Sequence, residues 1–409
     1  MTLLTGMALG ALLASPAAAR EWRTLGDGLP SKGQWRQGFD IADMNGDGRL
    51  DIVHGPSRRG DGRPVVFLGD GAGGFTIWRE ARFPDLPFDY GDVVAADFTG
   101  DGWLDLGLGS HLRGLSVLRS DGTGGFERWD QGLRLDTSGE AFASRALATA
   151  DWNLDGKPDL LALGEGPSPG GSPSEGSWGL RVFLNGGDGT WSEHQPDEPG
   201  RIFGYSLAVG NYDNDRRPDA VTSSRSQGRL DVVHTALADG GVARGPLRGA
   251  RPRSILHAVT MHDFDGDGAG EVVASYLVRS PTGKWQAGVD IYPSAKAVTD
   301  EREEVLVLPD SIEISLVAVG DLDADGRGDL VAAGADGGVW IFKGGRQGGF
   351  KRIAAAKIQR SSGNCKASHA AFADLDGEPG DELVISFSSE PVGEETCPSG
   401  GSIQVWQLR

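Results

Sequence analysis

Apolar residues in this chain come in short alternating runs, each closed by glycine and aspartate. Residues 93–129 carry the pattern once. Val93-Val94-Ala95-Ala96 precedes an acidic stretch at 97–105, then come Leu106-Gly107-Leu108-Gly109, a variable loop, Leu115-Ser116-Val117-Leu118, the turn Asp121-Gly122-Thr123-Gly124-Gly125, and Phe126-Glu127-Arg128-Trp129. Alternation over four to six residues between turn formers predicts strands, not helices. Four strands per unit follow, and no capped helical period interrupts them. The first strand of a unit is built from small residues, as in Ala146-Leu147-Ala148-Thr149-Ala150 and Leu207-Ala208-Val209-Gly210, which suits strands crowded around an axis.

The acidic stretch recurs seven times, at steps of 52 to 60 residues. A period of this size predicts a repeat architecture. Seven four-stranded antiparallel units predict an all-β, seven-bladed β-propeller, a form that leaves only short protected edges. The last unit stops at its third strand, Ile403 to Leu408, while Glu21-Trp22-Arg23-Thr24-Leu25-Gly26-Asp27-Gly28-Leu29 resembles Phe126 to Leu133. The N-terminal segment is therefore expected to complete the last blade and close the ring.

Oxygen-bearing side chains at positions one, three, five and nine of a tight loop suit a hard cation, and calcium prefers six to eight such oxygens. The loops carry Asp43, Asn45, Asp47 and Asp51; Asp97, Thr99, Asp101 and Asp105; Asp151, Asn153, Asp155 and Asp159; Asn211, Asp213, Asp215 and Asp219; Asp263, Asp265, Asp267 and Glu271; Asp321, Asp323, Asp325 and Asp329; and Asp374, Asp376, Glu378 and Glu382. Several structural Ca²⁺ ions are expected. The fifth and sixth loops, with four carboxylates each, are expected to bind tightest. The fourth begins with Asn211 and has Arg216 where glycine permits a left-handed turn, and the seventh has Pro379 there; both are expected to be weaker. An EF-hand would need an acidic twelfth position and flanking helices, and the flanks here read as strands. Acidic turns that cap hairpins without metal are the competing explanation.

Glycine makes up 65 of the 409 residues, a turn-rich composition. The net charge of −19 excludes nucleic acid as a partner, since phosphate binding needs clustered lysine and arginine; seven divalent ions would offset most of it. Residues 3–14 are apolar and Ala17-Ala18-Ala19 follows Pro16, so residues 1–19 read as a signal peptide and 20–409 as the propeller. No later stretch is long enough to span a membrane. The mature protein is expected to be secreted, periplasmic or extracellular, and monomeric. In that setting Cys365 and Cys397, the only cysteines, are expected to form a disulfide closing a 33-residue loop. It would contribute about 3–4 kcal/mol; two free thiols are the other possibility.

The runs Ala95-Ala96-Asp97-Phe98-Thr99-Gly100-Asp101-Gly102-Trp103-Leu104-Asp105-Leu106 and Val319-Gly320-Asp321-Leu322-Asp323-Ala324-Asp325-Gly326 resemble FG-GAP/VCBS repeats, which form the propeller of integrin α subunits and of many bacterial secreted proteins. The resemblance implies the same fold and is weak for function, because one fold serves adhesion proteins, lectins and enzyme accessory domains. With the acidic loops on one face, the long loops at 54–64, 164–179, 281–288 and 391–401 fall on the other, the usual place for binding. Six residues before each acidic loop lies a polar ring at one mouth of the axis: Gln37, Gly91, Arg145, Tyr205, His257, Ser315 and Ser368 or His369. It could hold sugar hydroxyls or a carboxylate, or line a water-filled channel. Arg59-Gly60-Asp61 spells an integrin-recognised tripeptide that chance explains in so Arg-, Gly- and Asp-rich a chain. The reading is a protein- or glycan-binding adhesion module for a surface protein or polysaccharide. A carbohydrate-active enzyme or hydrolase, with His54, His111, His257 and His369 on one face, is the alternative; no G-x-S-x-G or H-E-x-x-H motif supports it.

Overall fold

The computed structural model describes residues 21–409 apart from 37, 58–61, 134–141, 167–177, 195–201, 231, 309–311, 346–348, 354–364 and 389–400. Residues 1–19, read above as a signal peptide, Gln37, Cys397 and the Arg59-Gly60-Asp61 run therefore lie outside the described residues. Twenty-eight strands form seven antiparallel four-stranded sheets. No helix among the described residues is long and apolar enough to cross a membrane.

Each sheet is one blade. Its innermost strand is the small-residue strand: Phe39–Ala42, Gly91–Ala96, Ser144–Ala150, Leu207–Gly210, Ile255–His262, Ile314–Gly320 and Lys366–Ala373. Each innermost strand packs against the next, and Lys366–Ala373 returns to Phe39–Ala42, so the ring is closed. Between blades the core is apolar: Met44, Val53, Val66, Leu106, Leu108 and Leu118 are all essentially inaccessible between blades one and two. Large residues such as Trp152, Phe183 and Tyr276 are fully buried in this core.

Neighbouring innermost strands share no backbone ladder, so side chains join them. Asp40 accepts the N–H of Ala95 at 2.7 Å, Asp92 that of Leu147 at 2.7 Å, and the Ser206 hydroxyl that of Val259 at 3.0 Å. The Ser315 hydroxyl donates to the carbonyl of Ala367 at 2.7 Å. These bonds satisfy backbone groups that close packing would otherwise strand away from water.

The N-terminal segment closes the last blade as its sequence suggested. Trp22–Leu25 pairs antiparallel with Gly401–Leu408, in the register Trp22 to Leu408 and Leu25 to Val405. Beyond it, Asp27 bridges Gly74 of blade one, as Gln131 after blade two bridges Thr190 of blade three. Gly28 and Gly132 occupy equivalent turns at φ 91° and 103°. A Cβ there would lie 1.9 Å from the Phe75 carbonyl oxygen or 2.2 Å from that of Trp191, so both turns require glycine.

One loop is shorter than expected. Strand Trp285–Tyr292 begins inside the 281–288 segment, and residues 280–284 close a tight hairpin from Glu271–Arg279 in which the Ser280 N–H donates to the Lys284 carbonyl at 2.8 Å. Paired β-rich residues on both flanks, Tyr276-Leu277-Val278 and Trp285-Gln286-Ala287, carry the ladder outward.

Candidate functional site

Every acidic loop connects the first and second strands of its blade, so all seven lie on one face. Position one organises the turn. Asp43 accepts the N–H groups of Asp47 and Gly48 at 3.0 and 2.8 Å, and Asp151, Asp263 and Asp321 accept the same pair of groups in their loops. Two loop residues adopt left-handed φ, at positions four and six. Glycine usually fills them, but Leu154, Asn214, Ala324 and Arg216 also take φ between 54° and 73°.

Position nine is a buried brace. Asp51 accepts the N–H groups of Met44 and Gly69 at 2.9 and 2.8 Å, tying loop, second strand and third strand together. Asp159 does the same with Trp152 and Asn185, and Asp329 with Leu322 and Gly344. Burial pushes the carboxyls of Asp51, Asp105, Asp159 and Asp219 up to about 6, against these N–H donors. Burial likewise pushes Glu382 up to about 7. A cation beside them would favour the charged form and reverse the shift.

Three loops bring carboxylate oxygens within 4.8 Å of one another: Asp263, Asp265 and Glu271; Asp321, Asp323 and Asp325; Asp374, Asp376 and Glu382. An all-oxygen donor set of this kind fits a hard divalent ion. In the sixth loop the Lys343 ammonium meets Asp323 and Asp325, the latter at 2.9 Å, and Arg327 also pairs with Asp325. In the fifth, no lysine or arginine pairs with Asp263, Asp265 or Asp267 among the described residues. The seventh loop shifts its left-handed residue from Pro379 to Gly380, at φ 101°, and keeps its acidic cluster. Gln407 there donates to Asp376 and Glu382 at 2.8 and 2.9 Å. In the fourth, the Asn211 side-chain oxygen is buried without a hydrogen-bond partner among the described residues.

The opposite face holds the mouth of the axis. Its cavity, of about 200 Å³, is lined by Arg36, Tyr205, Arg225, His257, Glu313, Ser315, Lys366 and Ser368. Four of the innermost strands are bulged at this end. Pairing skips a residue between Ser144 and Leu147, between Leu256 and Val259, between Ile314 and Leu316, and between Ala367 and His369. Arg145, His257, Ser315 and Ser368 sit at these four bulges.

Glu313 is the charge centre of the cavity, with Lys366 Nζ at 3.3 Å, His257 Nδ1 at 3.5 Å and Arg225 Nη1 at 3.8 Å. Burial pushes the Glu313 carboxyl up, but His257, Lys366 and Arg225 together outweigh it and hold it below its usual value. Burial drives His257 down to about 4 against the pull of Glu313, so at neutral pH the cations here are arginine and lysine.

Of the sequence-derived ring, Tyr205, His257 and Ser315 line the cavity. Arg145 stands behind it, bonded to Glu165 at 2.7 Å and to the Tyr90 hydroxyl at 3.2 Å, with its guanidinium 4.0 Å from the Tyr205 ring. Ser368, not His369, reaches the cavity; His369 packs edge-on against Phe39 at 4.8 Å. The four histidines do not gather. His54 and His369 flank Phe39, His111 pairs with Glu165 at 2.8 Å, and His257 belongs to Glu313. Arg36, Arg225, Glu313 and Lys366 escaped the sequence reading, because they lie in loops or at strand starts, outside a count of one position per blade. Cys365 is buried and disulfide-bonded; Cys397, the chain's other cysteine, lies outside the described residues.

The FG-GAP-like repeat family matches residues 43–108 and 321–385, which span acidic loops one, two, six and seven. No curated protein matches the chain. Among solved structures, a chain of the crystal structure described as BBS1N in complex with ARL6DN, soaked with lead, is similar over 94% of each chain. Its identity to this chain is 11% and its TM-score 0.53, a likeness of fold. The two regions that match FG-GAP-like repeats, together with seven closed blades each carrying an acidic first hairpin, support an FG-GAP β-propeller.

Proposed function

We propose that the protein is an exported, monomeric, calcium-stabilised binding module that recognises a surface protein or polysaccharide through the face opposite its acidic loops. One observation carries the reading. Residues from four blades, with Arg36, converge at a single axial mouth, where His257, Ser315 and Ser368 sit at strand bulges in three of those blades. A rigid scaffold presenting a polar cavity is how binding sites are usually built.

Calcium would be held by the acidic loops, most firmly by Asp263, Asp265 and Glu271, where no ammonium competes among the described residues. It would supply charge neutralisation at the clustered carboxylates and so stiffen the hairpins that fix the other face. Asp325 supports this reading: one of its oxygens is buried without a hydrogen-bond partner among the described residues, a costly state that a bound cation would relieve.

The test is a glycan array, run with the purified protein once in calcium and once in chelator, followed by a pull-down from cell-surface extracts. Calcium-dependent capture of a defined glycan or protein is expected. Indifference of both assays to the protein would contradict the proposal.

A further inference from the structure

We infer that the axial cavity is a site for an acidic sugar, a small hydroxylated body carrying a carboxylate or phosphate; the inference rests on the binding-module reading and specifies its ligand. The chain as a whole is strongly acidic, at −19, yet the charged groups lining this cavity are Arg36, Arg225, Lys366 and a single carboxylate, Glu313. A basic pocket set in an acidic surface selects for an anion, because the surrounding field repels one everywhere else.

The hydrogen-bonding inventory narrows the anion. Arg225 offers a planar guanidinium fork suited to an oxyanion, and its ring partner Tyr205, 4.9 Å away, holds it in place. Glu313 is an acceptor within a cluster of cations. A ligand bearing only a carboxylate would bring it repulsion, whereas one that also bears hydroxyl groups can donate to it. His257 adds a second demand, since its Nε2 is buried without a hydrogen-bond partner among the described residues while its Nδ1 faces Arg225 at 3.4 Å. An anionic group and hydroxyls on one small body meet both demands, and a cavity of about 200 Å³ accepts a single sugar residue better than a long chain.

The test is calorimetric titration of the full chain in calcium at pH 7 with glucuronate, glucose 6-phosphate, glucose and N-acetylglutamate. At least one acidic sugar is expected to bind tenfold or more tightly than glucose, and the two acidic arms tell carboxylate from phosphate. Lys366→Gln and Arg225→Gln should each weaken that binding tenfold or more with the melting temperature unchanged, while Arg119→Gln on an outer strand should leave it intact. Equal affinity for glucose, equal affinity for N-acetylglutamate, or indifference to Lys366→Gln would overturn the inference. Calcium-dependent capture of a neutral glycan with no acidic-sugar binding would overturn it and leave the binding-module reading standing; silence in every titration arm would overturn it too, and the binding-module reading falls with it only when the glycan array and the pull-down are also silent.

Discussion

Arg216 holds a left-handed φ of 73° at the sixth position of the fourth loop, where the other loops use glycine or move the turn. A side chain there costs about 1–2 kcal/mol. Arg216→Gly should therefore stabilise the protein by about 1 kcal/mol in chemical denaturation, after the flexibility that glycine adds to the unfolded chain is subtracted. Gly28→Ala should act in the opposite direction, by at least about 1 kcal/mol, because its Cβ would overlap the Phe75 carbonyl oxygen. Asp92 sets a pH dependence. Burial pushes its carboxyl up to about 7, against the N–H groups of Leu147 and Val93, with Asp40 adding to the rise. A folded-state pKa above the unfolded value near 4 means that the folded protein keeps a proton that the unfolded chain has lost. Stability from this group is thus present below about pH 4 and is lost as pH rises towards about 7. In saturating calcium, Asp92→Asn should flatten the decline between pH 5 and 7, since an amide oxygen still accepts from Leu147; an unchanged slope would show that Asp92 does not titrate there.

At the scale of elements, the acidic hairpins and the closing strand were legible in the sequence because each recurs. Seven spaced copies reveal a loop, and Trp22 to Leu29 resembles the fourth-strand segment Phe126 to Leu133, down to the shared Gly-Leu ending. Bulges leave no such trace: the extra residue at Ser315 or Ser368 is neither glycine nor proline, and its effect is a change of direction, not of composition. For that reason His257 could be placed at the axis by counting, while Ser368 and His369 could not be separated. Lys343 was equally invisible, since it reaches the sixth loop from the third strand of its blade. Its ammonium competes with a metal for Asp323 and Asp325, so Lys343→Met should tighten calcium binding at that loop, read as an added high-affinity step in calorimetric titration. Deleting residues 21–29 removes the strand paired with Gly401–Leu408 and should lower the melting temperature sharply; an unchanged melt would show that the ring does not depend on this closure.

At the scale of the molecule, one ring separates two jobs. One face gathers carboxylates, the other gathers arginine and lysine around a cavity, and the apolar wedges between blades hold the two in fixed relation. The cost of the first face is electrostatic: clustered, partly buried carboxylates repel one another and resist ionisation. A structural cation would remove that cost, and a site at a hundredfold excess of ion over its Kd would contribute about 2.7 kcal/mol. The most direct test is differential scanning calorimetry of the purified protein at pH 7 in calcium and in excess chelator. The account predicts a melting temperature lower by about 5 °C or more in chelator, restored by calcium and not by an equal ionic strength of sodium chloride. Coincident melts in calcium and chelator would contradict it, leaving the acidic loops as hairpin caps that hold themselves together through Asp43, Asp51 and their equivalents alone.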